Sequence, residues 1–241
     1  MSWTVPSEIG GFVLAGGRSV RMGRDKAMLE LGGKPLVLHA VVKMRRVCME
    51  VSILGSDPAL DAFAPLVRDV HPGCGPMSGM EAALLHTRFD WNLFLPVDVP
   101  FLPTAFVDYW VRFMRPRAAE RGARVMMFMA DGMPQPTVTL IHREICPYLT
   151  RALEEGRYKL LPVLEEAARE ISVREGRLPG VGMWNLPYQG GFRSMAGPVR
   201  TREDWVYTTE AQEKAIGIWF HNLNTPEEFA EAEAHLDVLD T

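Results

Sequence analysis

Short continuous apolar runs alternate along this chain with stretches in which apolar residues recur at helical spacing. Phe12, Val13 and Leu14 predict a first buried strand, closed by the pair Gly16-Gly17. Leu36, Val37, Ala40, Val41 and Met44 then mark one face of a helix over Pro35–Val47, with Lys43, Arg45 and Arg46 suited to the negative end of its dipole. Val51–Leu54 predicts a second strand, broken by Gly55-Ser56-Asp57-Pro58, where Ser56 or Asp57 caps a short helix. Leu66 and Val67 begin a third strand, ended by Asp69. A Gly- and Pro-rich loop at His71–Met80 leads into an Ala/Leu helix through Leu85. Asn92–Val97 is a strongly apolar fourth strand ending in Asp98, and Pro103 suits the first turn of a helix bearing Phe106, Trp110 and Phe113. Val125–Met129 and Thr137–Ile141 read as further strands.

This alternation predicts an α/β fold, a doubly wound, mostly parallel sheet covered by helices in three layers. Ligands of such sheets sit at the carboxyl ends of the strands. The Gly16 loop, Asp69, the Gly75 loop and Asp98 all fall there.

The second half is less regular. Arg143–Ala168 has a helical pattern, whereas Gly176–Thr209 mixes Gly, Pro and aromatic residues without period, an unusually long irregular stretch for a compact domain. Ala215–Phe220 reads as an apolar strand. In Asn224-Thr225-Pro226-Glu227-Glu228, Thr225 is placed as N-cap, Pro226 in the first turn and Glu228 as the partner in a capping box. With no repeat and no dividing linker, a single domain over residues 1–241 is expected, with an irregular insertion at about 176–209.

Composition narrows the function classes. Of 241 residues, 47% are hydrophobic and 23% charged, as in ordinary globular domains. A net charge of -4 argues against broad binding to nucleic acid or anionic membranes, so the cations at Arg18, Arg21, Arg24 and Lys26 form a local cluster on an acidic background. No apolar run approaches the roughly 18 residues of a membrane span, and Met1–Glu8 lacks the pattern of a secretory leader. Three separated cysteines and six scattered histidines form neither a disulfide framework nor a metal motif, and a cytoplasmic location is expected.

The glycine pair after the first strand leaves backbone amides uncovered, and with four cations nearby it suits a polyphosphate. It is no P-loop, since Arg24 follows Gly23 and no hydroxyl residue follows Lys26. Nor does it carry the Gly-x-Gly-x-x-Gly spacing of dinucleotide folds. Leu14-Ala15-Gly16-Gly17-Arg18-Ser19, Arg21-Met22-Gly23 and Asp25-Lys26 instead resemble the signature loop of the nucleoside-triphosphate transferases, and within them the molybdenum cofactor guanylyltransferases. Gly75-Pro76-Met77-Ser78-Gly79 is similar to that family's Gly-Pro-Leu-Ala-Gly loop, with Met77 and Ser78 as departures. His221-Asn222-Leu223-Asn224-Thr225-Pro226 is similar to its closing Asn-x-Asn-Thr-Pro motif.

The resemblance implies a Rossmann-like nucleotidyltransferase fold and a Mg²⁺-dependent transfer of GMP from GTP to molybdenum-bound molybdopterin, giving the guanine dinucleotide and pyrophosphate. Such a reaction needs positioning and charge stabilisation, and no general base, because the attacking phosphate is already an anion. The resemblance assigns the metal to Asp98 and the nucleotide phosphates to Lys26, the two catalytic candidates. An ammonium ~4 Å from a phosphate oxygen contributes ~4 kcal/mol at an effective dielectric near 20, before desolvation. The same resemblance gives substrate contacts to Leu14, Ala15, Gly16, Gly17, Arg21, Asp69, Gly75, Pro76, Gly79, Asn222 and Asn224. Ser78 would offer its hydroxyl to base or ribose, and Gly79, opening a helix, would offer a dipole end to an anion. Asp25 would pair with a neighbouring arginine.

Gly55 stands where some members carry an asparagine, and the 176–209 stretch has no counterpart in the family pattern. That stretch suits a lid over the pterin phosphate substrate or a contact surface for a molybdoenzyme or cofactor-biosynthesis protein. Two other readings stay open: a cytidylyl- or sugar-phosphate nucleotidyltransferase, and a non-catalytic GTP-binding regulatory or chaperone module.

Overall fold

The strand formed by Phe12, Val13 and Leu14 lies at the heart of the sheet, flanked on both sides by parallel neighbours. In the computed structural model, which describes residues 7–16, 25–130, 132–188 and 208–240, β1 (Ser7–Leu14) pairs with β4 (Cys48–Leu54) on one side and β6 (Trp91–Pro96) on the other. Two short strands, β2 (Glu30–Leu31) and β3 (Lys34–Pro35), make a separate antiparallel ribbon. The main sheet has seven strands in the order β5-β4-β1-β6-β8-β7-β9, where β5 is Leu66–Val67, β7 Val125–Ala130, β8 Met133–His142 and β9 Met183–Tyr188. Every pairing in it is parallel except those of β8 with β6 and β7. Met133 pairs with Ala130, so β8 returns from β7 as a hairpin and must run antiparallel to it.

Side chains alternate across the sheet. Val13, Ile53, Leu93 and Leu95 enter one core beneath α1 (Leu36–Val47), while Phe12, Leu14, Leu54 and Phe94 enter the other beneath α2 (Pro76–His86). Both faces being covered, the strands read as continuous apolar runs rather than alternating ones. Phe12 and Phe94 stack with ring centroids 5.5 Å apart, and each ring removed from water contributes about 1.5–3 kcal/mol. α3 (Thr104–Tyr109) continues through a π-helical turn at Trp110–Met114 into α4 (Arg115–Glu120), on the α1 side. Pro103 is the residue before α3, one position earlier than expected.

Several expectations need correction. The helical pattern over Arg143–Ala168 is two helices, α5 (Cys146–Glu154) and α6 (Leu160–Arg174), because Gly156 between them takes a φ of +73°. Ala215–Phe220 is not a strand. A helix at Glu210–Lys214, capped by a Thr209/Gln212 box, is followed by a 3₁₀ turn at Ile216–Ile218. The apolar run is satisfied by burying Trp219 and Phe220 against Phe106 and Phe128 rather than by joining the sheet. The stretch 176–209 contains β9, which joins the sheet beside β7; its residues 189–207 lie outside the described ones. Of the three cations expected at the negative end of α1, Arg45 and Arg46 occupy the last turn, whereas Lys43 lies before it and is 3% exposed. The capping box of Thr225 and Glu228 on the last helix, Pro226–Ala232, forms as expected. No helix among the described residues is long and apolar enough to cross a membrane.

Candidate active site

Four parallel strands, β5, β4, β1 and β6, end on one edge of the sheet, and the loops leaving them carry most of the candidate residues. After β1, Ala15 donates its N–H to Leu54 O at 3.0 Å, tying the start of the glycine loop to the end of β4. Leu14 and Ala15 are buried and Gly16 is exposed, while Gly17 and Arg21, with the rest of 17–24, lie outside the described residues.

The chain re-enters at Asp25, whose carboxylate accepts from Ala27 N–H at 3.0 Å and so caps a single 3₁₀ turn, Lys26–Met28. That cap is the contact Asp25 makes among the described residues; Arg18, Arg21 and Arg24, with which a pairing was expected, lie outside them. The cap leaves Lys26 at the head of the turn. The ammonium donates to Asp98 Oδ2 and to Asn224 Oδ1, each at 2.7 Å. Asp98 lies two residues past the end of β6, and its carbonyl accepts the Leu223 N–H at 3.0 Å, which brings the Asn222-Leu223-Asn224 segment beside it. Asn224 and Thr225 give their backbone N–H groups to Glu228 Oε2. Those N–H groups, Asn224's first, hold the Glu228 carboxyl below the usual carboxylate range, with His221 and Lys26 adding to the effect. Asn222 is half-buried two positions earlier.

Asp69 lies beyond β5. Burial, and then the charge of Glu81, raise its carboxyl above the ordinary value. A Cβ at Gly79 would stand 3.4 Å from Asp69 Oδ1 and from Leu54, about van der Waals contact, so α2 passes close beside Asp69 at this position. Gly75 has φ +76° and ψ -163°, a conformation suited only to glycine, and it turns the chain into α2 with Pro76 in the first turn. Gly79 therefore does not open the helix; Gly75 and Pro76 do, because Pro supplies a helical φ where the missing N–H costs nothing. Ser78 is fully buried and its hydroxyl donates to His71 O at 2.6 Å, so it is committed to the loop and not offered to base or ribose.

One pair escaped the sequence reading. Glu81 is completely buried, and its Oε2 meets His71 Nδ1 at 2.7 Å, while Oε1 has no hydrogen-bond partner among the described residues. The signal was a lone acid in an otherwise apolar helix, Met80-Glu81-Ala82-Ala83-Leu84. Together with the Ser78 bond, this contact fastens the His71 loop to α2.

No group of three or more His, Cys, Asp or Glu among the described residues gathers to hold a metal ion. The donors at hand are the oxygens of Asp98 and Asn224, all hard ligands. That set fits Mg²⁺ or a similar cation, which takes one or two carboxylates and completes its shell with phosphate oxygens and water.

A mostly parallel sheet with a single antiparallel strand, its carboxyl edge carrying the loops of such a site, is the fold of the nucleotidyltransferases. A structure of molybdopterin-guanine dinucleotide biosynthesis protein A from Archaeoglobus fulgidus superposes with a TM-score of 0.66 over 94% of this chain and 97% of that one, at 22% identity. A 2-C-methyl-D-erythritol 4-phosphate cytidylyltransferase from Thermus thermophilus shares the fold at a TM-score of 0.56 and 15% identity, covering 95% and 98% of the two chains. The MobA-like NTP transferase domain matches residues 11–170, and the chain belongs to that family. It is 33% identical to the molybdenum cofactor guanylyltransferase of Serratia proteamaculans over 68% of this chain and 84% of the relative. It is 32% identical to that of Vibrio atlanticus over 69% and 85%. The protein is thus a nucleotidyltransferase.

Proposed function

We propose that this enzyme, with Mg²⁺, transfers GMP from GTP to the phosphate of molybdenum-bound molybdopterin, forming the guanine dinucleotide cofactor and releasing pyrophosphate. The observation that carries the reading is the meeting of Lys26 and Asp98 at 2.7 Å on the carboxyl edge of the sheet. The relatives named for this activity, at 33% and 32% identity, supply the nucleotide and the acceptor.

In this reading the Gly16-Gly17 turn and Arg21 receive the triphosphate, and Lys26 leaves Asp98 to neutralise charge on its oxygens. Asp98, aided by Asn224, would hold the metal, which would supply Lewis-acid stabilisation of phosphate charge. Leu14, Ala15, Asp69, Gly75, Pro76 and Gly79 line the nucleoside end, and Asn222 faces the acceptor phosphate. An oxygen of that phosphate forms a bond to the α-phosphorus while the bond to the bridging oxygen breaks, and the electron pair departs with pyrophosphate. Positioning and charge stabilisation carry the rate, since the nucleophile needs no deprotonation.

Because the fold also serves a cytidylyltransferase, the base is decided by experiment. Thermal shift with Mg²⁺ across GTP, CTP, UTP and ATP, followed by pyrophosphate release with the pterin acceptor, is the test. A shift with GTP well above CTP and GTP-dependent release are expected; equal stabilisation by both, or release with CTP alone, would overturn the guanylyl assignment. GTP binding without release would favour the non-catalytic module.

A further inference from the structure

A second ion pair stands outside the candidate site. Lys43, on α1, donates to Asp240 Oδ2 at 2.7 Å, to Pro100 O at 3.3 Å and to Leu102 O. An ammonium this deeply buried survives only where each of its three N–H groups finds an acceptor, as here. Asp240 is equally engaged: it accepts the Thr104 N–H at 3.1 Å, the Thr104 hydroxyl at 2.7 Å and the Gln212 side-chain amide at 3.2 Å.

The two carbonyls belong to the loop that begins with Asp98. Asp98 O is held by Leu223 N–H at 3.0 Å, and two and four residues further on Pro100 and Leu102 are held by Lys43. Between these ties the loop has a bond of its own from Leu102 N to Val99 O, at 3.4 Å. The other arm runs through Gln212, whose backbone carbonyl accepts the indole N–H of Trp219 at 2.9 Å, a few residues before Asn224. The same charge pair therefore bears on the segments carrying both acceptors of the Lys26 ammonium.

We propose that Lys43 and Asp240 are positioning residues for nucleotidyl transfer, their buried ion pair fixing the Pro100–Leu102 segment and with it the place of the Asp98 carboxylate opposite Lys26. The proposal rests on the reading of Asp98 given above, but the mechanical half of it can be measured apart from turnover.

Removing either partner alone strands a buried charge and endangers the fold, so the informative protein is the double variant Lys43→Met with Asp240→Asn. Two measurements are made on the full chain, amide hydrogen exchange and steady-state pyrophosphate release. The Leu223 amide is expected to exchange at least about tenfold faster while amides of β1 and β6 stay within about twofold, a local rather than global loosening. The kcat is expected to fall at least about tenfold with KM for GTP within about threefold, the signature of an interaction that matters in the transition state. Unchanged exchange at Leu223, equal acceleration through β1 and β6, or an unchanged kcat would each overturn the proposal. An Asp98→Ala enzyme with full turnover would instead sink the assignment of Asp98, while leaving the exchange result, and the clamp, intact.

Discussion

Lys26 and Asp98, 72 positions apart in the chain, form an ion pair of 2.7 Å at the mouth of the sheet. Neither side chain is fully buried, at 15% and 22% exposure, so the pair itself contributes no more than about 1 kcal/mol to stability. Its meaning lies in chemistry. A cation held by Asp98 and an anion held by Lys26 would stand within one ligand's reach.

Removing either group separates the roles. Asp98→Ala is expected to abolish pyrophosphate release, and Lys26→Ala to reduce it about a hundredfold or more, the scale of a lost charge-stabilising donor. Near-normal rates in a continuous pyrophosphate assay would refute the corresponding assignment.

The same contact makes a prediction for the free enzyme. The Lys26 ammonium and a divalent cation compete for Asp98 Oδ2, so Lys26→Met is expected to bind Mn²⁺ in the absence of nucleotide about fivefold more tightly, equivalent to the ~1 kcal/mol of the ion pair. An electron paramagnetic resonance titration reads this directly. Weaker or equal Mn²⁺ binding would place the metal elsewhere.

Gly75 tests the turn into α2. With φ at +76° and, among the described residues, no non-neighbouring atom within 4 Å of where an alanine methyl would stand, Gly75→Ala meets backbone strain and no clash with them. It is expected to cost about 1–3 kcal/mol in urea unfolding. A loss of under a few tenths would show that the loop accommodates an ordinary residue.

Two aspartates give opposite pH signatures. Burial pushes the Asp240 carboxyl up, but Lys43 and the bonds from Lys43 and Thr104 outweigh it and leave the group below its ordinary value. The stability it contributes is present above the unfolded value of about 3.9 and is lost as pH falls through the lower folded one. Asp69 is raised, by burial first and then by Glu81, so it penalises the folded state at neutral pH and the penalty lifts as pH drops toward the unfolded value. Asp69→Asn is therefore expected to unfold at higher urea than wild type at neutral pH and to lose that advantage by about pH 4. A variant no more stable than wild type at neutral pH would contradict the raised carboxyl.

What is local was legible in the chain. The runs Phe12-Val13-Leu14 and Asn92–Val97 announce strands because both of their faces are buried, and Thr225 with Glu228 announces a helix start because a capping box closes within four residues. The glycine turn, Lys26, Asp98 and Asn224 were legible as motifs, though composition alone ties none of them together. Sheet topology sets the end of β6 beside the end of β1, and the Leu223 N–H bond to Asp98 O then carries Asn224 to Lys26 across 198 positions. Only the tertiary structure decided the rest. An apolar run such as Ala215–Phe220 is satisfied by any dry surface, and here Phe106 and Phe128 supply it without a neighbouring strand. Lys43 looks like a solvated cation until Asp240, Pro100 and Leu102 surround it, because a side chain's charge fixes what it must bind but not which distant part of the chain will provide it.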